Sequence, residues 1–189
     1  MQRLSRADVR AEFVGIAADL FAEHGFAATS LDDIAAAAGY SKAAVLYHFG
    51  SKDDLLVAVI ESHLDQMSEL IAGLEVEPDS PTRVDHAIEA LATFALLRRP
   101  TLPLAFSPAQ DVATAMSRHP ALLVRFSQVR ERLGRLLVGD KPSLAQRVRL
   151  VIAFSGLPAV LIELRDIPAE HLHGPICDVL RDAVHTKES

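Results

Sequence analysis

Residues 29–52, TSLDDIAAAAGYSKAAVLYHFGSK, decide the fold. Two short helical patterns meet there across Gly39, and each is opened by a hydroxyl residue able to accept a hydrogen bond from a free backbone N–H. Thr29 with Asp32 and Ser30 with Asp33 both have capping-box spacing, which leaves the first start ambiguous by one residue. Leu31, Ile34, Ala35 and Ala38 then recur at helical spacing, and the alanine run makes a slim helix that another can approach closely. Gly39 ends it, because a tight turn between crossing helices often needs a positive φ, which glycine adopts cheaply. Ser41 caps the next helix, expected from Lys42 to about Phe49, with Val45 and Phe49 facing inward and Lys42, Ala43, Tyr47 and His48 outward. The pair outlines a helix-turn-helix whose second helix enters a DNA groove.

Upstream, Val9, Phe13, Ile16, Ala17, Leu20 and Phe21 repeat every three or four residues from Ala7 to His24, and Gly25 closes this supporting helix. Residues 1–6 form a short arm whose Arg3 and Arg6 could touch phosphate, or simply be solvated. Downstream, Ser51 with Asp54 opens a helix whose apolar positions, from Leu55 to Ile71, carry it to about Gly73.

The segment from Ala17-Ala18-Asp19-Leu20-Phe21, with Glu23 and Gly25, through Tyr47-His48-Phe49-Gly50-Ser51-Lys52 to Leu55 resembles the DNA-binding region of the TetR (tetracycline-repressor-like) family of transcriptional regulators. The likeness covers about the first quarter of the chain. It implies that Lys42 and Ala43 meet base edges in the major groove, while Tyr47, His48, Lys52 and the hydroxyls of Thr29 and Ser41 hold phosphates. Leu46 departs from the pattern, standing where the family usually has an aromatic residue, and reads as a packing residue. For Phe49 a core role is preferred, for Lys42, Lys52 and His48 a functional one.

The charge is no direct support. Residues 1–52 carry five Lys and Arg against six Asp and Glu, so a basic face must come from arrangement. The whole chain, 189 residues at a formal net charge of −6, is half hydrophobic and poor in aromatics, which points to an all-α protein large enough for one or two domains. Cys177 is alone, so no intrachain disulfide forms. The longest apolar run, Leu150 to Ile162, is shorter than the about 20 residues a bilayer requires, and the N-terminus has no apolar signal segment, so a soluble cytoplasmic protein is expected.

The expected organisation is a three-helix DNA-binding domain over 1–51 and a larger helical ligand-binding and dimerisation domain over 52–189, with 52–73 connecting them. EVEPDSP at 75–81 is a loop, Thr82 with Asp85 opens the next helix, and Arg98 and Arg99 suit its C-terminal dipole. Ser107, Pro108 and Gln110 restart the helical pattern, Pro120 starts another helix, and its arginines share no one face. Ser143 to Arg165 is apolar on two sides, hence buried on two sides, and should bend at Gly156 and Pro158. Gly174-Pro175 kinks or restarts the last helix.

The last two helices are the expected dimer interface, through Val148, Ile152, Ser155, Ala159, Ile162, Ile176, Val179 and Leu180; the resemblance supports this pairing. Phe94, Leu97, Leu104, Phe106, Met116, Phe126, Phe154 and Leu157 are candidate walls of a pocket for an apolar or aromatic effector. The partners expected are palindromic double-stranded DNA, a small-molecule effector and a second copy of the chain. An enzyme is disfavoured: there is no GxSxG elbow, glycine-rich phosphate loop or HExxH. No cofactor and no metal are expected, since His171 and His173, two apart, lie on different sides of a helix. The alternative is a helical protein-binding adaptor with an idle reader surface.

Overall fold

Side-chain caps set most helix starts, as a computed structural model shows for residues 5–78, 80–106 and 110–185. Helix α1 spans Arg6–His24, with Ser5 as N-cap and Asp8 completing a capping box. Residue Arg6 therefore belongs to the helix, whereas Arg3 lies outside the described residues. For α2, Leu31–Ala38, the cap is Ser30 with Asp33, which resolves the one-residue ambiguity against Thr29. The Ser30 hydroxyl and backbone N–H both donate to the Asp33 carboxylate and hold it below the usual carboxylate range. Gly39 follows in the left-handed region (φ 72°, ψ 24°), its N–H reaching back to Ala36 O. Helix α3, Lys42–Phe49, is capped by Ser41, which accepts from Ala44 N.

Helix α4 runs over Lys52–Glu75, two residues past the expected end, and α5 over Pro81–Leu97. The cap of α5 is Ser80, accepting from Arg83 N, and not Thr82 as expected. Proline at the next position lacks the N–H that would be orphaned there and has its φ preset, so Ser80-Pro81 starts the helix earlier. A short 3-10 turn, Leu102–Phe106, precedes α6, Gln110–Ser117, and α7, Pro120–Val138. The expected cap at Ser107-Pro108 lies outside the described residues. Helices α8, Leu144–Glu163, and α9, Ala169–Val184, complete the described elements, all of them helical.

Both late helices continue through their prolines, Pro158 and Pro175. No restart occurs at Gly174-Pro175: Leu172, Ile176, Cys177 and Leu180 are buried along one side, and burying such side chains, at about 1.5–3 kcal/mol each for the large ones, offsets the about 3 kcal/mol that an interior proline costs.

The chain divides into two compact units, Met1–His63 with Leu104–Val124, and Leu64–Pro103 with Arg125–Ser189. The division falls within α4, not at its start. In the first unit Phe13, Ala17, Phe21, Ile34, Val45, Leu55, Leu56 and Ile60 are buried. There Arg118 pairs with Asp53 at 2.8 Å and His119 Nε2 stands 3.5 Å from Asp54, so the end of α6 is held to the first turn of α4. In the second unit one apolar cluster gathers Ile71, Ile88, Leu91, Leu136, Leu137, Leu150, Leu172 and Leu180. Arg132 forks onto Glu75, holding that carboxyl below the usual carboxylate range, and Arg125 pairs with Asp65. Arg98 donates to Gln66 Oε1. Arg99 reaches from the end of α5 to carbonyls at the end of α8, donating to Leu164 O and, at 2.7 Å, to Ile167 O just beyond.

Helix α8 corrects the expectation of burial on two sides. Its Leu150, Pro158 and Leu161 are buried, while Leu144, Val148, Val151, Ile152 and Ile162 are exposed. By length and composition alone it is apolar enough to cross a membrane, unlike the shorter run read from sequence. One side of it nevertheless packs against α9 and the second unit's core.

Candidate nucleic-acid interface

Helix periodicity divides α3 into two faces. Val45 and Phe49 are buried, and Lys42, Ala43, Leu46 and Tyr47 are exposed, so four residues share an outward arc of less than half the helix circumference. Phe13 of α1 supports this helix from beneath, its ring 5.1 Å from Tyr40, 5.6 Å from His48 and 6.2 Å from Phe49 between centroids. Tyr47 is 69% exposed, and Arg6 stacks its guanidinium 5.0 Å from that ring. Arg10, one turn further along α1, stacks on Phe49 at 4.9 Å. Arg6 and Arg10 thus place positive charge beside the outward face, which a net count over residues 1–52 conceals. Their i, i+4 spacing was the available signal.

Lys42 pairs with Asp32 at 2.7 Å, both side chains at least half exposed. Such a pair is worth about 0–1 kcal/mol in water, so exchanging the carboxylate for a base edge or phosphate costs little. Ser41 and Ala43 are exposed as expected. Leu46, read as packing, is instead 39% exposed and lies on the same outward arc.

Three expected phosphate contacts take other positions. Thr29 is only 2% exposed, and its hydroxyl donates to Gly25 O at 2.9 Å, with Leu20 O at 3.1 Å. That hydroxyl ties down the α1–α2 connection. Lys52 is spent similarly: its ammonium donates to Phe26 O (2.8 Å), Thr29 O (3.0 Å) and Ala27 O (3.3 Å), and lies 4.4 Å from the centre of the Phe26 ring. An ammonium has three donors, and three carbonyls use them. His48 is half-buried against Phe13, its Nδ1 enclosed without a hydrogen-bond partner among the described residues, which makes the ring chiefly a wedge under α3.

Lys52→Met is therefore expected to lower stability by about 2 kcal/mol, since hydrogen bonds to charged groups contribute about 1.5–3 kcal/mol and the carbonyls would lose their donors. Equilibrium urea unfolding measures the loss. The slope of log K against log salt for DNA binding should stay unchanged; a slope shallower by about one would restore Lys52 to the phosphate contacts.

The other expected sites fare unevenly. Leu97 is 70% exposed at the end of α5, one turn beyond exposed Thr93 and off the buried side formed by Ile88, Leu91 and Ala95, so it lines no interior wall. Phe94, Phe126, Phe154 and Leu157 are half-buried in the second unit, and Leu104 and Met116 are half-buried in the first. The side chain of Phe106 lies outside the described residues. Ile176 and Leu180 are buried in the second unit's own core, which removes them from an external interface. Val148, Ile152, Ser155, Ala159, Ile162 and Val179 are exposed. One open depression of about 410 Å³ lies between α8 and α9, lined by Arg149, Ile152, Val179 and Asp182 among others.

Residues 16–59 match the model of the bacterial regulatory proteins of the tetR family. The HTH-type transcriptional activator FasR of Mycolicibacterium smegmatis is 34% identical over 93 residues, which are 49% of this chain and 42% of that protein. The HTH-type transcriptional repressor Rv3405c of Mycobacterium tuberculosis is 42% identical over 66 residues, 35% of each chain. These matches thus span less than half the length of either relative. The fold extends further: the TetR-like regulator LfrR of Mycobacterium smegmatis, solved in complex with proflavine, superposes with a TM-score of 0.74 at 20% identity over 96% of this chain and 98% of that one. PfmR of Thermus thermophilus gives 0.64 at 23% identity over 99% and 100%. Helix-turn-helix, supporting helix and the first turns of α4 are together the segment in which this chain is similar to the tetR family of bacterial regulatory proteins.

Proposed function

We propose that the chain is a DNA-binding transcriptional regulator of the cytoplasm, acting as a homodimeric repressor that a small apolar or aromatic effector releases from a palindromic operator. The observation that carries this reading is the outward arc of α3, with Lys42, Ala43, Leu46 and Tyr47 exposed on a helix fixed from below by Phe13. Lys42 donates to guanine edges, and Tyr47, Ser41 and the Arg6 guanidinium hold the backbone. Two copies related by a two-fold axis would present two such helices to grooves about 34–36 Å apart, which makes the operator a near-palindrome.

Pairing falls to the apolar side of α8, continued by Val179 of α9; the depression of about 410 Å³ lies there and is the natural seat for a partner's side chains. Effector binding is assigned to the half-buried Phe94, Phe126, Phe154 and Leu157; the LfrR complex with proflavine supports an aromatic ligand by analogy of fold. Release is a population shift, available to any ligand that prefers the conformation whose readers do not fit the operator.

Selection of bound duplexes from a random pool tests the reading. Lys42→Ala, on an exposed side chain, should leave the melting temperature unchanged and weaken the selected site about 10- to 100-fold, matching about 1–3 kcal/mol of base discrimination. If no sequence is enriched by the unsubstituted protein, the adaptor reading takes its place.

A further inference from the structure

A second chemistry-bearing cluster lies within the second unit. Helix α9 carries His173 and Cys177 four residues apart, on one face, and Glu89 of α5 stands opposite them. Cys177 Sγ is 3.5 Å from Glu89 Oε2 and 3.8 Å from His173 Nδ1, and His173 Nδ1 is 3.7 Å from Glu89 Oε2. A tetrahedral centre with bonds of about 2.3 Å to sulfur and about 2.0–2.2 Å to nitrogen and oxygen sets its ligand atoms about 3.4–3.6 Å apart. The three atoms already form such a triangular face to within a few tenths of an ångström.

The surroundings orient these atoms inward. His173 Nε2 lies 3.1 Å from Thr93 Oγ1, which suits the tautomer with Nε2 protonated and Nδ1 free to bind. Arg181 engages the other carboxylate oxygen of Glu89, Oε1, leaving Oε2 towards the sulfur. Its positive charge is shared with Asp85 at 3.5 Å and Asp178 at 3.3 Å. Cys177 is buried, while Glu89 and His173 are partly exposed, so an ion has a path from solvent.

We propose that Glu89, His173 and Cys177 bind one divalent ion of the zinc class, through three protein atoms with the fourth position open to water or an exogenous ligand. One sulfur, one imidazole nitrogen and one carboxylate oxygen favour a borderline ion over magnesium or calcium, which take all-oxygen sets. As the sulfur–metal bond forms, the Cys177 S–H proton leaves to solvent. Thiolate and carboxylate then balance the ion's two positive charges.

The test uses the full chain, reduced and stripped with chelator, titrated with Co²⁺ and independent of any DNA assay. One Co²⁺ per chain should bind, with a sulfur-to-cobalt charge-transfer band and the intense visible bands of a tetrahedral centre, both bleached by added Zn²⁺. Cys177→Ser should abolish the charge-transfer band. Glu89→Gln and His173→Gln, on partly exposed side chains that alter no core, should each weaken binding about 10-fold or more with an unchanged circular dichroism spectrum, and Thr93→Val about 10-fold. Failure of the unsubstituted chain to bind Co²⁺ at micromolar concentration would overturn the site, as would bands that survive Cys177→Ser and Glu89→Gln alike.

Discussion

Replacing Phe13 by alanine is expected to cost about 3–5 kcal/mol of stability, the range for emptying a fully buried aromatic site. Phe13 is wholly inaccessible to solvent, and its ring meets Tyr40, His48 and Phe49, residues that belong to α3 or to the turn entering it. Three short helices cannot collapse far into the space left, because α2 and α3 have only eight residues each and Ile34, Ala35 and Val45 are already buried in place. Domains of this size hold only about 5–15 kcal/mol in total, so the variant should sit close to unfolding and bind no DNA at physiological temperature. Urea denaturation with far-UV detection measures the loss. A cost below about 1 kcal/mol would show that Phe13 does not anchor α3.

Ile152→Glu should act on assembly instead of folding. The side chain is 66% exposed in the isolated chain, so a carboxylate there costs the protomer's own core nothing. Across a two-fold interface each substitution counts twice, and each removes about 1.5–3 kcal/mol of apolar burial while burying a charge. The dissociation constant of the proposed dimer should rise at least about 100-fold, and sedimentation at micromolar concentration should show monomer where the unsubstituted chain shows dimer. An intact dimer would take the apolar side of α8 out of the interface and leave its exposure to be explained otherwise.

The sequence was most informative where the relevant physics is local. Ser41, Gly39 and the capping boxes fixed α2 and α3 to within a residue, because a cap involves only neighbours three or four positions away. The partners of Lys52 were hidden for the opposite reason. Its acceptors are main-chain carbonyls more than twenty residues earlier, and nothing in a side-chain pattern announces a carbonyl turned towards an ammonium. Ile176 and Leu180 were hidden likewise: periodicity identified the apolar side of α9, but what covers that side depends on α5 and α8, and Val179 is left outside. Two of the three ligands of the proposed metal site stand in the sequence as a histidine and a cysteine four apart. The third, Glu89, lies 84 residues before His173 and arrives only through packing.

Arg99 bears on how a change in the second unit would reach the proposed protomer pairing. Helix α8 closes at Glu163 with Leu164 as C-cap, and it is the guanidinium just past the foot of α5 that donates to the carbonyls of Leu164 and Ile167. In the proposed dimer the alignment of one protomer on the other would thereby answer to a neighbouring helix: a displacement of the foot of α5 would carry the tail of α8 with it and tilt the symmetry axis.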